Sequence, residues 1–183
     1  AILSKPHIGT DRLRTVVSNL RREIERLGGE VRFRATLVGL ERDDGRISRV
    51  RIRQNGAEER LDCASLVLAI GQGARDTYEM LLNAGIALAP KPFAVGVRME
   101  HPQSMINEAQ FGAMAGHPRL GAAEYRLTGQ SGERGVYTFC MCPGGSVIAS
   151  ASCADDVVVN GMSNFARSAT NANAAIVVQV RTD

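Results

Sequence analysis

Cys140-Met141-Cys142-Pro143-Gly144-Gly145 is the stretch of this sequence whose residue types and spacing can do chemistry. It closes a β-type run that starts near Val136, and Pro-Gly-Gly stops that run. Two glycines after a proline let the backbone turn sharply and approach something flat or charged. Two thiols one residue apart fall on the same face of an extended strand, because successive side chains alternate. Such thiols can act as a redox pair, or ligate a soft metal together with Cys153 and His101. Zinc sites usually separate paired cysteines by roughly two to four residues, and only one tight pair exists here. The plain alternative is small core thiols, since free cysteine packs as a small apolar residue.

Further candidates flank this stretch. Arg98, Glu100 and His101 follow a run of alternating apolar residues. Arg98 can bind an acidic group through charge-assisted hydrogen bonds, and His101 can move a proton near neutral pH. The same residues also read as an exposed ion pair followed by a turn histidine before Pro102. Asn160, Ser163, Asn171 and Asn173 are amide and hydroxyl groups suited to hydrogen-bonding a ligand, and equally suited to turns and caps. His7 and His117 stand beside turn signals and read as structural.

The elements that must position these groups follow from periodicity. Leu13, Val16, Val17, Leu20, Ile24 and Leu27 recur at helical spacing after the capping residues Thr10 and Asp11, and Gly28-Gly29 ends that helix. A three-stranded meander is expected next, over about 30–42, 47–54 and 58–62, turning at 43–46 and at Asn55-Gly56. Ser65 to Gly71 is apolar throughout and reads as a buried parallel strand whose carboxyl end, Gly71-Gln72-Gly73, is where ligands bind in open α/β sheets. A short helix is expected over 75–83. Pro90-Lys91-Pro92 marks a boundary, and the pattern then turns to β, with strands over about 93–100, 135–142, 146–152, 157–160 and 176–180. The stretch 105–121 reads as irregular or weakly helical, and 161–174 as polar, with room for a helical turn. With 183 residues, 44% hydrophobic and 22% charged, the chain can bury a core of one or two domains. A net charge of +3 without clustering argues against nucleic acid, as do the absence of Trp and an aromatic content of 4%. No run is long and apolar enough to span a bilayer, and no signal-type start is present, so a cytoplasmic location with reduced thiols is expected.

The order helix, Gly-Gly, meander, apolar strand ending in Ala69-Ile70-Gly71 resembles the later half of an FAD-binding domain of the glutathione-reductase type. More specifically, KPHIGTDRL, LAIGQGARDT, KPFAVGVRMEHPQ, YTFCMCPGG, NGMS and NANAAIVV occur in this order. Together they are similar to a bacterial family of uncharacterised FAD-dependent dehydrogenases, over nearly the whole chain. The family more often has His-Ser at Gln72-Gly73 and Glu at Cys153. No Gly-x-Gly-x-x-Gly follows a strand here, and that loop would hold the pyrophosphate on a helix N-terminus.

The resemblance implies an α+β chain: part of an FAD-binding α/β domain with a β-meander over 1–76, and a mainly antiparallel β substrate domain over 77–183. It implies a middle fragment of an FAD-dependent oxidoreductase. FAD would be bound in the full-length protein and absent from this piece, which alone would be inactive. The flavin-binding residues it implies are Leu37, Ala69, Gly71, Pro143, Gly144, Gly145 and Asn160. Cys140, Cys142, Arg98 and His101 would serve the reaction, with no metal. Partners would be a small-molecule substrate and NAD(P)H, with neither nucleic acid nor membrane. Two alternatives stand beside this: a non-catalytic binding module on a flavoprotein-like fold, and a thiol metal-binding domain.

Overall fold

A computed structural model describes residues 7–152 and 154–182. Its chain is α+β with antiparallel sheets, and it forms two compact units: 7–23 together with 91–182, and 24–90. The division on the C-terminal side falls at Pro90, in the Pro-Lys-Pro stretch. No helix among the described residues is long and apolar enough to cross a membrane.

In the smaller unit β1 (Ala35–Asp43), β2 (Arg46–Gln54) and β3 (Ala57–Asp62) form the expected antiparallel meander. Both hairpins turn on two successive left-handed residues, Asp44-Gly45 and Asn55-Gly56, the backbone that a two-residue hairpin needs to match strand twist. Arg–Glu pairs cover the outward face, among them Arg53–Glu58 at 2.6 Å. Helix α2 (Arg75–Asn83) follows, and Arg42 of β1 donates to the Ala84 carbonyl just past its end.

The apolar run 65–71 is not a strand. No strand among the described residues runs beside it, so its backbone has no ladder to join, and Val67 is 88% exposed. Apolar content alone does not make a strand; a paired edge does. Gly71 has φ of 70°, a left-handed conformation that suits glycine, and its carbonyl accepts from Tyr78 Oη at 2.9 Å.

The larger unit is built on a four-stranded sheet in the order β4-β9-β6-β5, from β4 (Phe93–Pro102), β9 (Asn171–Val180), β6 (Arg134–Cys142) and β5 (Thr128–Ser131). Central β9 carries small residues, and Ala172, Asn173 and Ala174 are fully buried. It starts at Asn171, so the last four residues of the polar stretch 161–174, read as having room for a helical turn, belong to this strand. Helix α3 (Gln103–Phe111) occupies part of the stretch expected to be irregular or weakly helical. Its Ile106 packs with Ala123 and Ala172, flanked by Phe111, Tyr125 and Met141. A two-stranded hairpin-like sheet, β7 (Gly145–Ala149) with β8 (Val159–Ser163), completes the unit.

The first turn of α1 (Thr10–Arg26) is fastened to residues some 150 positions away in sequence. Thr10 Oγ1 donates to the Ser163 carbonyl at 3.1 Å, Asp11 Oδ1 accepts from Phe165 N–H at 2.8 Å, and the Arg12 guanidinium lies over the Phe165 ring. The Phe165 amide holds the Asp11 carboxyl below its usual range. Gly9, at φ of 83°, leaves no room for a Cβ against the Phe165 backbone. Thus residues 9–12 and 163–165, far apart in sequence, meet in space.

Candidate functional site

Cys142 faces Arg98 because β6 contains a bulge. Phe139 pairs with Ala175 and Cys142 with Asn173, so Cys140 and Met141 together oppose the single residue Ala174. Cys140 carries the distortion, with φ of 47°. One inserted residue reverses the phase of everything after it. In an unbroken strand Met141 would oppose Asn173. With the bulge, Met141 turns to the Ile106 cluster and Cys142 turns to the opposite face. The two cysteines therefore do not share a face by simple alternation, yet their Sγ atoms are 4.0 Å apart.

On that face Asn173 is flanked by its cross-strand partners Glu100 and Cys142. Arg98, two residues before Glu100, donates from Nη1 to Asn173 Oδ1 at 2.8 Å and to the Cys140 carbonyl at 3.0 Å. This contact fixes which way the Asn173 amide points, and leaves Nδ2 buried without an acceptor. Gly161 of β8 closes over the group. A Cβ there would collide with Asn173 Oδ1 and Arg98 Nη1 and come within 2.8 Å of Cys142 Sγ. Glu100 accepts from Asn171 Nδ2 at 2.6 Å.

Burial, and then the neighbouring Cys140, push the Cys142 thiol up to about 11, while Arg98 and Ser163 oppose the shift. Cys142 is therefore protonated at neutral pH. Cys140 is exposed and lines an open groove of ≈ 630 Å³, with Tyr137 and Phe139 beside it and Glu124, Tyr125 and Arg126 across from it.

The Pro143-Gly144-Gly145 turn is buried and internally bonded. Gly144 N–H donates to Gln103 Oε1 at 2.7 Å, and the Pro143 carbonyl accepts from Ser163 Oγ at 2.8 Å. A Cβ on Gly144 would run into the Arg167 carbonyl. In this chain the Gly144 amide is thus committed to Gln103, and glycine is required there by close packing of backbone on backbone. Gln103, which also donates to the Ala123 carbonyl at 3.0 Å, and Gly161 stood in recognisable motifs but carried no chemical signal of their own.

His101 does not join Arg98. It is an odd number of positions from Arg98 on the same strand, so it points to the other face, where its ring lies 5.5 Å from that of Tyr125 and Nε2 is buried without a partner. That placement separates it from Cys142 as a metal ligand. Among the described residues no cluster of three His, Cys, Asp or Glu side chains is placed to hold a metal, and Cys153 lies outside them. Asn160 lies in β8, where its Oδ1 accepts from Gly161 N–H at 2.9 Å. Leu37 lies in β1 of the smaller unit, opposite Ile52 and next to a bulge, and Ala69 and Gly71 lie in the unpaired segment before α2.

Residues 92–183 match the family described as "FAD-dependent protein, C-terminal domain-like". An uncharacterised protein of Clostridium beijerinckii is 52% identical over 179 residues, which is 97% of this chain and 33% of that protein. The chain thus spans about a third of the length of the curated relative it matches.

Proposed function

The chain belongs to the FAD-dependent protein family whose C-terminal-domain-like region it carries, and we propose that it works as part of a longer FAD-dependent oxidoreductase, as its substrate-domain segment. The family match over 92–183 carries this reading. Uncovered apolar surface supports it. Leu13, Val17, Leu20 and Ile24 form a stripe along α1, and all are exposed. Phe93, Val95, Val97 and Met99 line one face of β4, with Val97 67% exposed. Contiguous apolar faces of this kind mark surfaces that another element covers. The remainder of a longer chain is the cover in this reading.

In the holoprotein the flavin would accept and deliver electrons, and this chain would position the substrate. Its sequence has no Gly-rich pyrophosphate loop, so by itself it is expected to bind FAD weakly or not at all. The buried, acceptor-less Asn173 Nδ2 and the Arg98 guanidinium fit the recognition of a carbonyl-bearing or acidic group beside Cys142. Gly71, with open space around it, lets a dinucleotide pass close to the backbone, and Leu37 and Ala69 would flank it. A small-molecule substrate, NAD(P)H as electron source and a cytoplasmic location complete the proposal.

The test is a visible absorption spectrum of the full-length Clostridium beijerinckii relative beside this chain. The expected result is a yellow relative with flavin bands and a colourless chain. A relative that stays colourless after incubation with FAD would overturn the proposal.

A further inference from the structure

The geometry points to Cys140 and Cys142 as a thiol–disulfide couple, with exposed Cys140 as the entry thiol and buried Cys142 as the resolving thiol. In an unbroken strand, residues two apart have Cα atoms roughly 6.6 Å apart, near the upper limit of the roughly 4.4–6.8 Å that a disulfide spans. The bulge, with Cys140 at φ of 47°, departs from that extended geometry, and the Sγ atoms lie 4.0 Å apart. A one-residue bulge beside two thiols is thus the feature that places them within reach of each other.

Access and protection are divided between the two. Cys140 is exposed on the groove, where a small disulfide can reach it. Cys142 is buried beside Asn173, Gly161 and Arg98, with the Cys140 thiol 4.0 Å away. Arg98 holds the Cys140 carbonyl at 3.0 Å and so fixes the bulge. Its charge also favours the Cys142 thiolate, against the burial that raises that thiol. Exchange then follows from ordinary thiol chemistry. The Cys140 thiolate attacks one sulfur of a small disulfide such as oxidised glutathione, forming a mixed disulfide and expelling one thiolate, which takes up a proton. Cys142 gives its proton to solvent and attacks Cys140 Sγ, expelling the second thiolate. Two protein thiols lose two electrons and two protons, and the small disulfide leaves as two thiols. No step involves a flavin, so the couple stands or falls separately from the proposed function.

The two cysteines flank Met141, which allows a direct test. The chain is equilibrated in glutathione buffers from fully reduced to fully oxidised, acid-quenched and alkylated. Trypsin gives peptide 135–167, which contains Cys140, Cys142 and Cys153. Cyanogen bromide then cuts after Met141, and mass spectrometry reports whether 135–141 and 142–162 remain linked until reduced. The expected result is a linked pair in the parent and in Cys153→Ser. Cys142→Ser should retain one glutathione on Cys140, and Cys140→Ser should take none while folded. Three results would each overturn the couple: no oxidation in the fully oxidised buffer, glutathione on Cys140 of the parent without any link, or a link that disappears in Cys153→Ser. Should Cys142→Ser not fold, the parent and Cys153→Ser decide the question.

Discussion

Removing the Arg98 guanidinium tests whether the cluster around Asn173 is held together as the structure indicates. Asn173 is 0% exposed, and its Oδ1 is bonded to Arg98 at 2.8 Å while its Nδ2 has no acceptor. Arg98→Ala deletes one charged hydrogen bond to this amide and one to the Cys140 carbonyl. A hydrogen bond to a charged group is worth about 1.5–3 kcal/mol net, and a buried orphaned acceptor costs about 1–3 kcal/mol. Asn173 would then have both amide ends unsatisfied, so a loss of about 2–4 kcal/mol is expected. For a chain of this size that corresponds to a fall in Tm of roughly 4–16 °C. Asn173→Ala alone removes the acceptor and the orphaned donor together, leaving Arg98 its bond to Cys140. In the double variant the Asn173 amide is gone and only the Cys140 carbonyl has lost its Arg98 donor, so the two costs should overlap by about 1–2 kcal/mol. Urea unfolding followed by circular dichroism, at constant m, measures all three corners. Arg98→Ala within about 0.5 kcal/mol of the parent, or costs that add within about 0.5 kcal/mol, would refute the coupling.

Other outcomes follow from single positions. Gly144→Ala places a Cβ against the Arg167 carbonyl at φ of 49°, and a loss of about 3 kcal/mol or more, or failure to fold, is expected in the same unfolding assay. Cys140→Gly relieves a left-handed non-glycine residue but makes the unfolded chain freer. The net change should lie between zero and about 1 kcal/mol of added stability, whereas Cys140→Val should destabilise. Iodoacetamide at neutral pH should label Cys140 well before Cys142, and the Cys142 rate should rise only as pH approaches about 11. The matching stability trend has a definite sign. Between 9.0 and about 11 the unfolded thiol loses its proton while the folded one keeps it, so this group's contribution is constant below pH 9 and stability falls above it.

What was legible in the sequence is what local pattern decides. The Asn55-Gly56 turn dictated its hairpin, and the helical spacing from Leu13 to Leu27 gave α1 nearly to its ends. What was not legible depends on partners. The run 65–71 has the composition of a buried strand but no neighbouring strand among the described residues, and so forms none. Asn173 was recognisable as a polar residue of interest, but nothing local announces that it faces Arg98, 75 positions away. Gln103 bonds the Gly144 amide across 41 positions, and no motif encodes such a contact.

The bulge at Cys140 is the sharpest instance, because one backbone residue changes what the site is. Counting by twos along β6 puts Cys140 and Cys142 on one face and Met141 on the other, and predicts nothing about Arg98. The structure keeps the sequence and shifts the phase, so that Cys142 arrives beside Asn173 and Met141 packs under Ile106. The distortion has a local cost, since a non-glycine residue in the left-handed region is strained by about 1–3 kcal/mol. Two contacts offset it, the Arg98 bond to the Cys140 carbonyl and the packing of Met141 into the α3 cluster. It follows that Arg98 acts on the thiols through the backbone it holds as well as through its charge. A variant that loses Arg98 should let the bulge relax toward regular pairing and separate the two sulfurs.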